Sequence, residues 1–171
     1  MGLGLKFYIE NTNPRQGSVF SLNYELKSKS HYNRIDLIVV SIANLINIIM
    51  VFLFVARMSG LLQIEKGFGI VAMLLGFTLG YIAVLNNKNK RDKWTTYLLA
   101  PIFLFFVVEL VLDYILELDF RNTAIVGPYI LLYYIGLWAL IGYSFQFNKK
   151  WGFFTLATYF GNMILSILPY I

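Results

Sequence analysis

The chain has 171 residues, of which 58% are hydrophobic, 18% aromatic and only 13% charged. A soluble domain carries about 25% charged residues, so too little polar surface remains here to cover a water-soluble globule. The net charge of +5 would admit nucleic acid as a partner, but the cations sit in short loops between apolar runs, as membrane-topology signals do, and no nucleic-acid partner is expected.

There is no cysteine, which excludes disulfides, thiolate catalysis, Cys-ligated zinc and iron–sulfur clusters. The one histidine, His31, lies in polar sequence, so no metal site and no cofactor are expected. MGLGLKFYIENTNPRQ lacks an apolar core long enough for a signal peptide.

Residues 1–34 form a polar N-terminal segment. SVFSLNYELK alternates Phe20, Leu22, Tyr24 and Leu26 with Ser21, Asn23, Glu25 and Lys27, the period of a strand. LKFYIE precedes it across the turn-rich NTNPRQG, which predicts a small hairpin, with a mobile tail as the alternative. A two-stranded hairpin alone is marginal in water and would need a surface to rest on.

Five apolar runs follow: Leu37–Ala56, Gly67–Leu85, Thr95–Leu116, Thr123–Phe147 and Trp151–Ile171. Each is long enough to cross a hydrocarbon core of ~30 Å at ~1.5 Å per residue. Backbone in lipid must satisfy its own hydrogen bonds, and barrel strands do not read as continuous apolar runs of this length, so the runs predict helices. The predicted fold is an all-α membrane protein, a bundle of five transmembrane helices over residues 35–171 behind the polar segment 1–34. A C-terminal run without charge suits lipid, and the bilayer is the first expected partner.

Lys and Arg set the orientation. With a cytoplasmic N-terminus, the inside holds Lys6, Arg15, Lys27, Lys29, Arg34, Lys88, Lys90, Arg91, Lys93, Lys149 and Lys150. The outside then holds only Arg57, Lys66 and Arg121. That bias predicts a multi-pass protein of the plasma membrane with its C-terminus outside. Trp94 and Trp151 fall at the inner interface, where indoles prefer to sit.

Three groups of residues stand out within the runs. Ala72, Gly76 and Gly80 recur at a spacing of four, a small-residue face that lets two backbones approach. It serves packing inside the bundle or, as the alternative, a homo-oligomer or a partner membrane protein; Ala157 and Gly161 form a similar pair. Asn47, Thr78 and Asn162, with Tyr133 or Tyr134, fall at similar depths and predict a polar layer near the midplane, where interhelical hydrogen bonds contribute about 0.6–2 kcal/mol each. It acts as structural glue or as a substrate or water path.

The third group is acidic. FFVVELVLDYILELDF, residues 105–120, carries Glu109, Asp113, Glu117 and Asp119. On an α-helix, steps of four rotate by only ~40°, so the first three lie on one stripe. Counted from Trp94 at ~1.5 Å per residue, Asp113 reaches the outer surface and Glu109 lies deeper. A buried charged carboxylate costs several kcal/mol, so Glu109 is expected neutral or paired, with Tyr129 at its level as the favoured partner. Glu109 and Asp113 on one face would permit shared-proton behaviour, but no nucleophile or metal-ligand set accompanies them, and an enzyme is not expected.

ELVLDYILELDFRNTAIVGPYILLYY, followed by GYSF and GFFTLATYF, resembles a group of small uncharacterised multi-span prokaryotic membrane proteins. The resemblance covers about residues 37–171. It implies a shared motif containing Glu109, Asp113, Asp119 and Arg121, and no activity. The expected function is that of a structural or accessory membrane subunit; the alternative is a proton- or cation-coupled carrier using Glu109 and Asp113. A carrier needs a polar path from Glu109 towards both faces, and a structural bundle needs none.

Overall fold

The computed structural model describes residues 14–118, 120 and 123–167, with side chains for 34–118, 120 and 123–166. The chain divides into two compact units, Met1–Arg34 and Ile35–Ile171. In the first, the backbone is helical from Pro14, as part of α1 (Pro14–Met58). The alternating run at residues 18–27 is therefore helix, not a strand. Pro14 takes the first helical position, where a missing N–H has no intrahelical acceptor to lose. Leu, Glu and Lys in the following turns are good helix formers, and the weak alternation does not override them. Residues 1–13, with the other half of the expected hairpin, lie outside the described residues.

The second unit holds the rest of α1, then α2 (Leu62–Lys88), α3 (Lys93–Glu109), a π-helical turn (Leu110–Ile115), α4 (Val126–Phe147) and α5 (Lys149–Ile167). Among the described residues there is no strand. Four helices are long and apolar enough to cross a membrane: Arg34–Met58 of α1, α2, Lys93–Ile115 and α4. The 19-residue α5 is not among them. It begins on two lysines and carries Thr155, Thr158, Asn162 and Ser166 at helical spacing, which lowers its hydropathy.

The links from α1 to α2, from α2 to α3 and from α4 to α5 are short. Gly60 takes a positive φ of 69° between α1 and α2, a conformation that costs glycine little. Asp92 caps α3 by accepting a bond from the Trp94 amide at 3.2 Å. Glu117, at φ 46°, follows the π-helical turn with the left-handed residue that often closes a helix.

The core forms where these helices meet. Ile46, Leu79, Leu99, Ile102, Phe105, Phe106 and Leu137 are fully buried. Ala72, Gly76 and Gly80 are buried too. A Cβ at Gly76 would overlap the Phe106 ring, and one at Gly80 the Phe103 ring. The small face of α2 is thus filled by α3 of the same chain. Gly136 lets α4 approach α3 closely: a Cβ there would lie 3.0 Å from the Ile102 Cα. Ala157 and Gly161, in contrast, are exposed, with nothing within 4 Å of a Cβ at Gly161. The outward faces are apolar, with Leu74, Leu104, Leu131 and Phe153 exposed.

Candidate functional site

Glu109 is the last residue of α3, and Tyr129 lies in the first turns of α4. The structure brings them together: the Tyr129 hydroxyl donates to Glu109 Oε2. The Tyr129 ring packs against two others, 5.2 Å from Phe105 and 4.9 Å from Phe120 between centroids.

Glu109 forms part of the wall of two cavities. One, of about 230 Å³, reaches into the bundle and is lined by Phe54, Phe105, Tyr129, Tyr133, Tyr134 and Ser166 among others. The second, of about 380 Å³, is polar and is lined by Glu65, Lys66, Asp113, Tyr114 and Glu117 among others. Leu53 and Arg57 also line both. Arg57 does not turn to Glu109. Its Nε and Nη2 donate to Glu65 Oε1 at 2.8 and 2.6 Å, and its guanidinium lies 5.7 Å from the centre of the Phe54 ring.

The helix geometry changes at this point. After Glu109 the ladder widens, and the Leu116 amide bonds the Val111 carbonyl five residues back. Such π turns insert a residue into the helical repeat and often occur where function needs a side chain re-aimed. The α-helical stripe expected for Glu109, Asp113 and Glu117 therefore ends at Glu109. All three still line the polar cavity, and the Tyr114 hydroxyl reaches the Lys66 carbonyl at 3.3 Å, over the bare backbone of Gly69. Asp119, Arg121 and Asn122 lie outside the described residues.

A polar seam continues inward. Tyr134 and Ser166 share a hydrogen bond of 3.0 Å in the wall of the inner cavity. Asn162 Nδ2 donates to the Tyr133 hydroxyl at 2.6 Å. Asn47 Nδ2 donates to Thr158 Oγ1 at 3.0 Å, Thr158 donates to Asn44 Oδ1 at 3.0 Å, and Asn44 Nδ2 donates to Thr155 Oγ1 at 3.1 Å. Thr155 in turn donates to Ser144 Oγ at 3.0 Å. Asn47 thus belongs to a hydrogen-bonded chain that joins α1, α5 and α4, and Asn162 to a separate pair between α5 and α4. Thr78 does not: it is exposed and bonds its own helix at the Leu74 carbonyl.

At the other end of the same helices lies a charged tie. Arg91 Nη2 donates to both oxygens of Asp36 at 2.8 and 2.9 Å, and Nη1 donates to Asn86 Oδ1 at 3.0 Å. The Tyr143 hydroxyl donates to Asp36 Oδ1 at 2.6 Å. Burial by itself lowers the Arg91 pKa; the hydrogen bond and charge of Asp36 outweigh it and raise the guanidinium above its ordinary value. A cavity of about 350 Å³ opens beside the tie, lined by Asp36, Arg91, Thr95, Tyr143 and Gln146 among others.

Three buried side-chain atoms along this line have no hydrogen-bond partner among the described residues: Asn47 Oδ1, Asn162 Oδ1 and Asn86 Nδ2. Among the described residues, no cluster of three or more His, Asp and Glu could hold a metal ion.

Sequence reasoning missed Asp36, Asn44, Asn86, Tyr143, Ser144, Thr155 and Thr158. The signal for some of them was present: Thr155, Thr158, Asn162 and Ser166 fall on one face of α5, and Asn44 and Asn47 on one face of α1. No family model, curated protein or solved structure matches this chain.

Proposed function

We propose that this chain is a multi-pass membrane protein that carries protons, with Glu109 as the group that takes and releases the proton. The observation that carries this reading is that Glu109 lines both the polar outer cavity and the inner cavity. A bundle built only to support other subunits has no need of a carboxyl at such a junction, since an ionisable group within a span is costly.

Asp113, in the polar cavity, supplies the outer approach. Tyr133, Asn162, Thr158, Asn44, Thr155 and Ser144 supply hydroxyls and amides that both donate and accept, as a relay requires. The resemblance to small multi-span prokaryotic membrane proteins fits this setting. All five helices span, the polar face of α5 being turned to the seam. The N-terminus is cytoplasmic and the C-terminus outside, in the plasma membrane, which the distribution of Lys and Arg supports.

Orientation is tested with single cysteines, for which the chain offers a clean background. A cysteine at exposed Asn89 should be shielded from an impermeant thiol reagent in intact cells, and one at exposed Ser59 should be labelled. The reverse pattern inverts the orientation. Function is tested in proteoliposomes under an imposed potential, with a trapped pH dye. Wild type should move protons above protein-free vesicles, and Glu109→Gln, which keeps a donor and an acceptor, should fold and lose at least tenfold of that flux. No flux from wild type would leave the structural or accessory subunit as the better account.

A further inference from the structure

We infer that an internal water molecule bridges α1, α4 and α5, donating to the Asn47 and Asn162 amide oxygens and accepting the Tyr133 hydroxyl proton. The site uses neither Glu109 nor any movement of protons, and so it stands whether or not the chain is a carrier.

Three buried groups keep hydrogen-bonding capacity that no described residue meets. Asn47 Oδ1 and Asn162 Oδ1 have no partner among the described residues. Both amides are held at their nitrogens, Asn47 by Thr158 Oγ1 and Asn162 by the Tyr133 hydroxyl. Thr158 gives its own proton to Asn44 Oδ1, which fixes Asn47 as the donor in that pair. Tyr133 accepts from Asn162, and its own O–H proton has no acceptor among the described residues. Asn47, Asn162 and Tyr133 are 2%, 1% and 6% exposed, so bulk water does not serve them. A buried polar atom left unmade is costly, and in folded proteins protein groups or ordered water satisfy nearly all of them.

The groups lie within about one helical turn. Thr158 and Asn162 are four residues apart on α5 and share a face. Asn47 is bonded to Thr158, which places it about one turn, ~5.4 Å, from the level of Asn162. Two O–H···O bonds of ~2.7–2.8 Å through one oxygen bridge a gap of that order.

The chemistry of the three groups selects the ligand. Two acceptors need two donated protons, and the phenol needs one acceptor. Water supplies all of these in one small neutral molecule and makes about three bonds, the usual number for a buried water. An ammonium group has donors but cannot accept from Tyr133. A hard metal ion takes six or more oxygen ligands and accepts no proton. Space adjoins the group: the inner cavity of about 230 Å³ is lined by Tyr133, by Met50 one turn beyond Asn47, and by Ser166 one turn beyond Asn162. A water takes up ~30 Å³ in the liquid, so the cavity offers both room and a route for exchange.

The bridge joins two sets of bonds that protein atoms leave separate. One runs from Ser144 through Thr155, Asn44 and Thr158 to Asn47. The water carries it on to Asn162 and Tyr133, in the wall of the cavity.

Radiolytic hydroxyl-radical footprinting of the full chain in lipid nanodiscs, read by mass spectrometry, tests the site. The radicals form from water in place, so a buried side chain is oxidised only where water lies against it. Tyr133 should oxidise at least tenfold faster than Phe106, a ring with 2% exposure. Asn47→Leu, close in volume, removes one acceptor and should slow Tyr133 oxidation at least fivefold relative to Met50, which reports water in the cavity. Protection of Tyr133 in wild type, equal to that of Phe106, would overturn the proposal. So would an unchanged ratio of Tyr133 to Met50 in the variant, because the water at Tyr133 would then belong to the cavity alone. Asn47→Val makes the same test with a smaller side chain if the leucine does not fold, and an unchanged ratio there counts equally against the bridge.

Discussion

Two arginine–carboxylate pairs sit at opposite ends of the described helices, and they differ in what they join. Arg91–Asp36 links residues 55 apart in sequence, fastens the α2–α3 loop to α1, and recruits Tyr143 of α4. Its side chains are only 10% and 15% exposed. Arg57–Glu65 links residues 8 apart across one tight turn, with 28% and 17% exposure. The first ties three elements at a site where a lost partner leaves a charge with little water. The second joins two neighbours that the turn at Gly60 already holds together. The same chemistry therefore fastens the fold at one end and can yield at the other, beside the cavities.

The sharpest way to break this comparison is Asp36→Ala. Removing one partner of a buried pair costs about 3–5 kcal/mol, because the other charge stays behind without compensation. Tyr143 would lose its acceptor as well. The unfolding midpoint in mild detergent should drop steeply, and removing Arg91 in the same chain should recover part of the loss. A variant that melts like wild type would show the tie to be ornamental. The pH dependence has a definite sign. Arg91 is raised in the folded state, so its share of stability is complete below the ordinary arginine pKa and is lost only as pH rises through the higher folded value. From the Arg91 side, the tie should hold across the whole neutral range.

Gly76→Leu comes next. Its side chain must displace Phe106, and overpacking of this kind costs about 1–3 kcal/mol. Gly161→Leu is the control, since a Cβ there meets nothing within 4 Å. Folded yield in detergent should fall for the first and hold for the second. Equal behaviour of the two would mean that α2 does not press on α3.

The difference between those glycines shows what the sequence could convey. Helix type follows from the absence of charge over long runs, a local property, and so it was legible. The pairing of Glu109 with Tyr129 was legible too, because a short link makes α3 and α4 antiparallel neighbours and depth can be counted along each. Gly76 and Gly161 have equivalent local patterns, however, and only the placement of neighbouring helices separates them. The same holds for Asp36, which no local pattern marks, and for Arg91, whose charge reads as a topology marker until the fold sets the two 2.8 Å apart. The π turn was hidden for another reason: it changes the period within an apolar run that fits either ladder. The alternation at residues 18–27 misled because period two over so few residues also occurs in helices.

A smaller effect is expected from the seam between the two ends. Asn162→Leu removes the bond to Tyr133 and leaves a buried hydroxyl unpaired. Interhelical bonds of this kind contribute about 0.6–2 kcal/mol. Tyr133→Phe, which removes the hydroxyl instead, should cost a similar amount, and the double variant should cost less than the two combined. Additive losses in thermal unfolding would mean that the two side chains do not act as a pair.

The smallest stability effect, and the one that most sharpens the comparison, is expected at Arg57. A partly exposed pair contributes about 0–1 kcal/mol, and the Phe54 ring adds about 0.5–1 kcal/mol at most. Arg57→Gln should therefore barely move the unfolding midpoint, in contrast to Asp36→Ala. Its consequence should appear in access instead. Arg57 stands in the wall of both cavities, fixed there by Glu65, and a shorter neutral side chain opens the space between them. A hydrophobic carbodiimide that modifies Glu109 should then react at least threefold faster. Arg57→Lys separates charge from shape: it keeps the cation but not the fork that reaches Glu65 through two nitrogens. If the fork closes the passage, Lys should react nearly as fast as Gln. If the positive charge alone guards Glu109, Lys should behave as wild type. A large loss of stability in either variant would make the outer pair a fastening like the inner one, and the contrast between the two ends would fall.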